Sequence, residues 1–218
     1  MKKTFLQAHA ANYRAGRTDE IKYIVIHYTA NDGDTAEDNQ RYFAGASRGA
    51  SAHFFVDING WGQSVREGDT AWHCGATTYR HPECRNANSL GIEMCSYIDN
   101  GEYAFDIRTI KNAIELVREL AAKYGIDRQH VLRHYDVTGK KCPAPWVDRS
   151  DIWETFLNDV FPPAKPEEEK HWYDEAVKWG EDNGIMTGGR PNDPVTRAEA
   201  ITMLHRMDKR WSGLLSEE

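Results

Sequence analysis

The stretch Arg133-His134-Tyr135-Asp136-Val137-Thr138-Gly139-Lys140-Lys141-Cys142-Pro143 places an imidazole, an ammonium and a thiol within one turn-rich loop. A second imidazole, His27, follows the apolar, β-branched run Tyr23-Ile24-Val25-Ile26. Two histidines and one cysteine supply three protein ligands for a tetrahedral zinc ion. They leave the fourth position to water, which separates a catalytic zinc site from a closed structural one. Lys140, beside this group, could stabilise negative charge that develops on a substrate oxygen. The combination suggests a zinc hydrolase.

Histidine alone says little, because His9, His53, His73, His81, His130, His171 and His205 are also present. His27 and His134 stand apart because each is expected at the end of a strand, where a sheet presents side chains to a cleft. Cys142 follows His134 at a spacing that a loop can close onto one metal. Glu93 lies in the largely apolar run Leu90-Gly91-Ile92-Glu93-Met94. A carboxylate there is costly to bury unless it is paired or used. It is either a partly exposed residue on a sheet face or a general base that takes a proton from a water at the metal. Partial desolvation would raise its pKa and suit the second role.

These residues need a frame. Lys22 to Thr29 reads as a buried strand ending at the turn Asn31-Asp32-Gly33. Thr35 to Ala46 is an amphipathic helix capped by Asp34 or Thr35. Ser51 to Ile58 and Trp61 to Val65 form a hairpin about Asn59-Gly60. Ser89 to Tyr97 is a strand with Leu90, Ile92 and Met94 on one face and Gly91, Glu93 and Cys95 on the other. Asp106 to Tyr124 is the clearest helix, with Ile107, Ile110, Ala113, Ile114, Val117, Leu120 and Ala121 at helical spacing and Gly125 as its stop. Val131 to Tyr135 is a short strand, and Asp148 to Val160 a helix. Strands alternating with helices imply an α/β fold, a mixed central sheet flanked by helices.

Residues 1–160 form the catalytic unit in this reading. Residues 161–170, with their prolines and the run Glu167-Glu168-Glu169, form a linker. Residues 171–218 hold two further helices, His171 to Asn183 and one opened by the capping box Thr196-Arg197-Ala198-Glu199. So small a unit buries little surface and is expected to need a partner.

The net charge of −7, with no basic cluster among aromatics, argues against nucleic acid. No apolar run is long enough to span a bilayer. Met1-Lys2-Lys3 leads into a mixed polar segment rather than a signal-peptide core, so synthesis and initial residence in the cytoplasm are expected. Cys74, Cys84 and Cys95 are then expected as free thiols.

Four segments occur in order: Tyr23-Ile24-Val25-Ile26-His27-Tyr28-Thr29-Ala30-Asn31, Ala71-Trp72-His73, Asn88-Ser89-Leu90-Gly91-Ile92-Glu93, and His134-Tyr135 through Lys140-Lys141-Cys142-Pro143. Together, over roughly residues 20 to 158, they resemble the type 2 N-acetylmuramoyl-L-alanine amidases, a family that includes phage endolysins and is related to peptidoglycan recognition proteins. The resemblance implies zinc held by His27, His134 and Cys142. It implies Glu93 as acid/base and Lys140 as the oxyanion-stabilising group, acting on the amide between N-acetylmuramic acid and L-alanine of bacterial peptidoglycan. Asn31, His53, Trp72, His73 and Asn88 are then candidates to line the substrate groove, or else ordinary loop and sheet residues. Some related phage amidases carry a catalytic tyrosine where Ala52 stands, before His53-Phe54, which leaves Glu93 as the candidate base.

The tail segments Trp172-Tyr173-Asp174-Glu175-Ala176-Val177-Lys178-Trp179, Asn183 to Gly188 and Pro191 to Ala200 resemble one S-layer homology repeat with a shortened turn at Gly188-Gly189-Arg190. That implies binding to a secondary cell-wall polymer or self-association into a homo-oligomer. The whole chain reads as a phage or prophage endolysin released to the wall at lysis. The alternative is a non-catalytic peptidoglycan-binding protein, which typically loses a zinc ligand, notably the cysteine.

Overall fold

A computed structural model describes residues 1–163, 171–183 and 194–214, the last five by backbone alone. The chain divides into two compact units, Met1–Ala164 and Lys165–Glu218.

The first unit is built on six strands: β1 (Lys2–Phe5), β2 (Tyr23–Tyr28), β3 (Phe54–Asp57), β4 (Gly60–Gln63), β5 (Ser89–Met94) and β6 (Val131–Arg133). They lie in the order β1-β4-β3-β5-β2-β6. Only the β3–β4 hairpin is antiparallel; every other neighbour is parallel. The sheet is therefore mixed, with helices on both sides, as the alternation of elements implied.

Strand alternation sorts the side chains. Ile24, Ile26, Leu90, Ile92, Met94 and Val56 point to one face and are fully buried. There they meet α2 (Ile107–Tyr124) and α5 (Ser150–Val160) through Ala113, Leu116, Val117, Leu120, Trp153 and Phe156. Each such side chain contributes about 1.5–3 kcal/mol on burial, so this face anchors the unit. Asp106 caps α2 by accepting from the Arg108 amide, and Gly125 ends it in a left-handed conformation. Ile107 faces solvent, and Leu116 takes a core position instead.

The opposite face is covered in two patches. On one side Phe55 packs with Ala36 of α1 (Ala36–Gly45) and Ala52. Thr35 caps α1, with Asp38 completing a capping box. On the other side Tyr23 and Val25 pack with Cys74, Cys84 and Val137 of α3 (His134–Thr138). The C-terminal ends of β2 and β5 lie between these patches.

Several elements differ from the sequence reading; among them, the strand expected over Ser89 to Tyr97 ends at Met94, and Tyr97–Asp99 pairs instead with Glu102–Ala104. Lys2–Phe5 adds an edge strand parallel to β4. The strand expected over Val131 to Tyr135 stops at Arg133, because Asp136 turns back to accept from the Arg133 amide and side chain and opens α3 at His134. A short helix, α4 (Ala144–Val147), precedes α5. All four cysteines are free and buried. Among the described residues no helix is long and apolar enough to cross a membrane.

In the second unit, α6 spans Asp174–Asp182 and α7 spans Arg197–Leu214. The Thr196–Glu199 capping box forms in both directions. Residues 164–170 of the expected linker and the Gly188-Gly189-Arg190 turn lie outside the described residues.

Candidate metal centre and active site

His27, one residue before the end of β2, is in register with Glu93 of β5, so the two side chains stand next to each other on the same face. His27 Nδ1 lies 3.9 Å from Glu93 Oε1. His134 comes from the first turn of α3, its ring centred 4.6 Å from that of His27. Gly139, at φ +84°, ends α3 and reverses the chain. The Tyr135 amide then donates to the Cys142 carbonyl at 2.8 Å and draws Cys142 back over the helix. Cys142 Sγ comes to 3.7 Å from His27 Nδ1.

One ligand atom from each of His27, His134 and Cys142 lies within 4.8 Å of the others. A tetrahedral zinc ion with bonds of about 2.0–2.3 Å would draw such atoms to roughly 3.5 Å apart, so small side-chain movements close the set. His134 Nδ1 is buried without a hydrogen-bond partner, as is Glu93 Oε2. His27 has its Nε2 occupied by His73 at 3.0 Å, which leaves Nδ1 facing Cys142 and Glu93.

The electrostatics suit a cation. Burial, aided by His134, His73 and Lys140, drives the His27 pKa well below its usual range, and burial with Lys140 lowers His134 to about 4. Both imidazoles are thus neutral at pH 7, the form that binds metal. Burial, reinforced by Glu93, pushes the Cys142 thiol up to about 12. Its thiolate becomes favourable at neutral pH only beside a positive ion. Burial raises Glu93 to about 8, opposed by Lys140 and aided by Asp34.

Two clefts open beside this cluster. One, of about 490 Å³, is lined by Glu93, Asn31, Asp34, Asn39, Tyr42 and Phe55. The other, of about 710 Å³, is lined by His134, Lys140, His73, Trp72, Asn86 and Thr78 among others. An extended substrate could therefore reach both sides of the cluster.

Comparison with known proteins agrees with this geometry. Residues 17–145 match the family described as N-acetylmuramoyl-L-alanine amidase. The chain belongs to that amidase family. Residues 168–201 match the S-layer homology domain. The amidase CwlL of Bacillus licheniformis is 36% identical over 150 residues, 64% of this chain and 41% of its own length. The amidase AmiD of Escherichia coli is 30% identical over 211 residues, 85% of this chain and 66% of its own. The chain spans about two fifths of the length of the Bacillus relatives CwlL and BlyA. The solved catalytic domain of XlyA superposes with a TM-score of 0.61 at 28% identity, over 73% of this chain and 99% of that domain. A structure titled as a mutant endolysin from Bacillus subtilis gives 0.60 at 29% identity, over 73% and 99%.

Within the amidase unit the residues singled out from sequence fall into two groups. Asn31, Trp72 and His73 line the clefts. His53 does not: it is fully buried behind the centre, where Nδ1 accepts from the Gly91 amide at 2.9 Å and Nε2 lies 2.7 Å from the Arg17 guanidinium. Asn88 is also turned away, its side chain bridging the Arg85 amide and the Glu83 carbonyl. Asn86 takes the place at the cleft, accepting from the His73 and Cys74 amides. Arg17, which donates to the Ala87 and Ser89 carbonyls, braces the same turn. Neither stood out in the sequence: two asparagines flank Ala87, and their spacing does not say which faces the cleft.

Proposed function

We propose that this chain is a zinc-dependent N-acetylmuramoyl-L-alanine amidase that hydrolyses the amide between the lactyl group of N-acetylmuramic acid and L-alanine of the stem peptide. The observation that carries this is the convergence of His27, His134 and Cys142 beside a half-buried carboxylate with a buried, unpartnered oxygen. His27 and His134 would bind zinc through Nδ1 and Cys142 through Sγ. Zinc held there supplies Lewis acidity to the scissile carbonyl and lowers the pKa of water. Glu93 accepts a proton from the attacking water and delivers it to the leaving amine. Lys140, at the rim of the larger cleft, stabilises the developing oxyanion. Trp72, His73 and Asn31 line the path of the glycan and peptide.

The reading extends to an endolysin of phage or prophage origin, made in the cytoplasm and acting at the wall after release, in keeping with the likeness to a solved endolysin. Residues 1–160 do the chemistry, and residues 171–218, past a linker, bind a secondary wall polymer or join copies of the chain. Trp172, Ile201 and Leu204 are exposed on that unit and suit such a contact. Sedimentation over a range of concentrations tests self-association, and a constant monomer mass removes it.

The deciding experiment is digestion of purified Gram-positive peptidoglycan with product mass spectrometry, before and after chelation and zinc return. Free L-alanine amino termini that appear only with zinc are expected. Intact wall that still retains the protein would overturn the amidase reading in favour of a binding protein.

A further inference from the structure

His73 hydrogen-bonds to His27 of the metal centre, and its own surroundings are tightly constrained. The Ser89 hydroxyl lies 2.6 Å from the Arg85 carbonyl oxygen. That oxygen can only accept, so the single hydroxyl hydrogen is spent there. The same Ser89 Oγ lies 3.2 Å from His73 Nε2 and must accept from it. Cys74 Sγ, 3.8 Å from Ser89 Oγ, does not compete as the required donor, because its thiol donates to Asn86 Oδ1 at 3.2 Å. A neutral imidazole protonated at Nε2 offers a lone pair at Nδ1, and His73 Nδ1 is 3.0 Å from His27 Nε2. His27 therefore donates from Nε2 and keeps its lone pair at Nδ1, facing Cys142 and Glu93.

The sheet makes room for this arrangement. A Cβ on Gly91 would stand 2.4 Å from His73 Cγ, far inside contact distance. His73 lies over β5 only because position 91 has no side chain.

We infer that His73 is a positioning residue that holds His27 in its Nδ1-liganding tautomer through a one-way hydrogen-bond relay, Ser89 to the Arg85 carbonyl, with Gly91 providing the space. The inference rests on the zinc reading of the centre. Because the relay ends on a carbonyl, it cannot run backwards, and the ring of His27 is fixed in both orientation and protonation before metal arrives. Loss of an outer partner of a histidine ligand typically weakens metal binding about 10–100-fold.

The test uses the full chain, with the zinc dissociation constant measured by chelator competition and the His27 tautomer read by ¹⁵N-histidine NMR on zinc-free protein. The wild type should carry its proton on His27 Nε2. His73→Ala and Gly91→Ala should each weaken zinc about 10–100-fold and give mixed His27 tautomers. His73→Asn should recover most of the affinity, because its amide oxygen sits where Nδ1 was and accepts from His27. Ser89→Ala should show a smaller loss, and it carries the test together with the wild-type tautomer if His73→Ala fails to fold. Unchanged zinc affinity in folded His73→Ala, or a proton on His27 Nδ1 in the wild type, would overturn the relay. Weakened zinc in these variants, alongside a wild type that leaves peptidoglycan intact, would uphold the relay and overturn the amidase reading instead.

Discussion

Replacing Glu93 by glutamine should stabilise the metal-free protein while removing turnover. The carboxyl is raised from an ordinary 4.5 to about 8, chiefly by burial, and one of its oxygens has no partner. A folded-state pKa above the unfolded one gives a contribution fully present below pH 4.5 and lost as pH rises through 8. At pH 7 the unfolded chain has released a proton that the folded protein still holds across about 2.5 pH units, which at about 1.36 kcal/mol per unit is roughly 3 kcal/mol of lost stability. Because 22% of the Glu93 side chain still meets solvent, screening trims the expected figure to about 2 kcal/mol. Glutamine cannot ionise and escapes the loss. Urea unfolding of chelated wild type and Glu93→Gln should give nearly equal stabilities at pH 4 and a gap of about 2 kcal/mol in favour of the variant at pH 7. Turnover of the zinc-loaded variant should fall about 10²–10⁴-fold. A gap that does not change with pH, or a variant less stable than wild type at pH 7, would refute the argument that Glu93 is held against its own ionisation.

His27→Ala, His134→Ala and Cys142→Ser should each lose bound zinc and activity together; metal analysis that finds a full equivalent in any of them removes that ligand from the set. Lys140→Met should keep zinc and lower kcat about 10²–10³-fold with little change in KM, and steady-state kinetics on soluble muropeptides checks the split. Metal-free Glu93→Gln, which lacks the opposing carboxyl contribution, should be acid-sensitive. The folded pKa values of His27, His53 and His134 lie below the unfolded 6.5, so their contribution is present above that value and lost as pH falls, toward about 4 for His134. Thermal melts of this variant from pH 7.5 to 4.5 should show a falling midpoint, and one that rises on acidification would contradict the burial of neutral imidazoles.

Much of this protein was legible along the chain. The helical spacing of Ala113, Ile114, Val117 and Leu120 marked α2, because a helix buries one stripe. Alternation in Leu90-Gly91-Ile92-Glu93-Met94 correctly assigned two faces, because a strand cannot do otherwise. Motif order pointed to the family, since His27, Glu93, Lys140 and Cys142 appear at the ends of elements that a sheet brings to one edge. What the chain order left open was decided by register and by turns. In-register pairing of β2 with β5 put His27 beside Glu93, residues 66 positions apart. The Asp136 turn converted the end of a strand into the start of α3 and so aimed His134 Nδ1 inward. Packing density then separated His53 from His73: both are histidines near the same strand, but one is locked behind the Gly91 amide and the other lies over the Gly91 Cα. Local sequence specifies which way a side chain alternates; only the closed sheet determines which neighbours fill the space it points into, and that is where the tautomers and the raised carboxyl pKa arise.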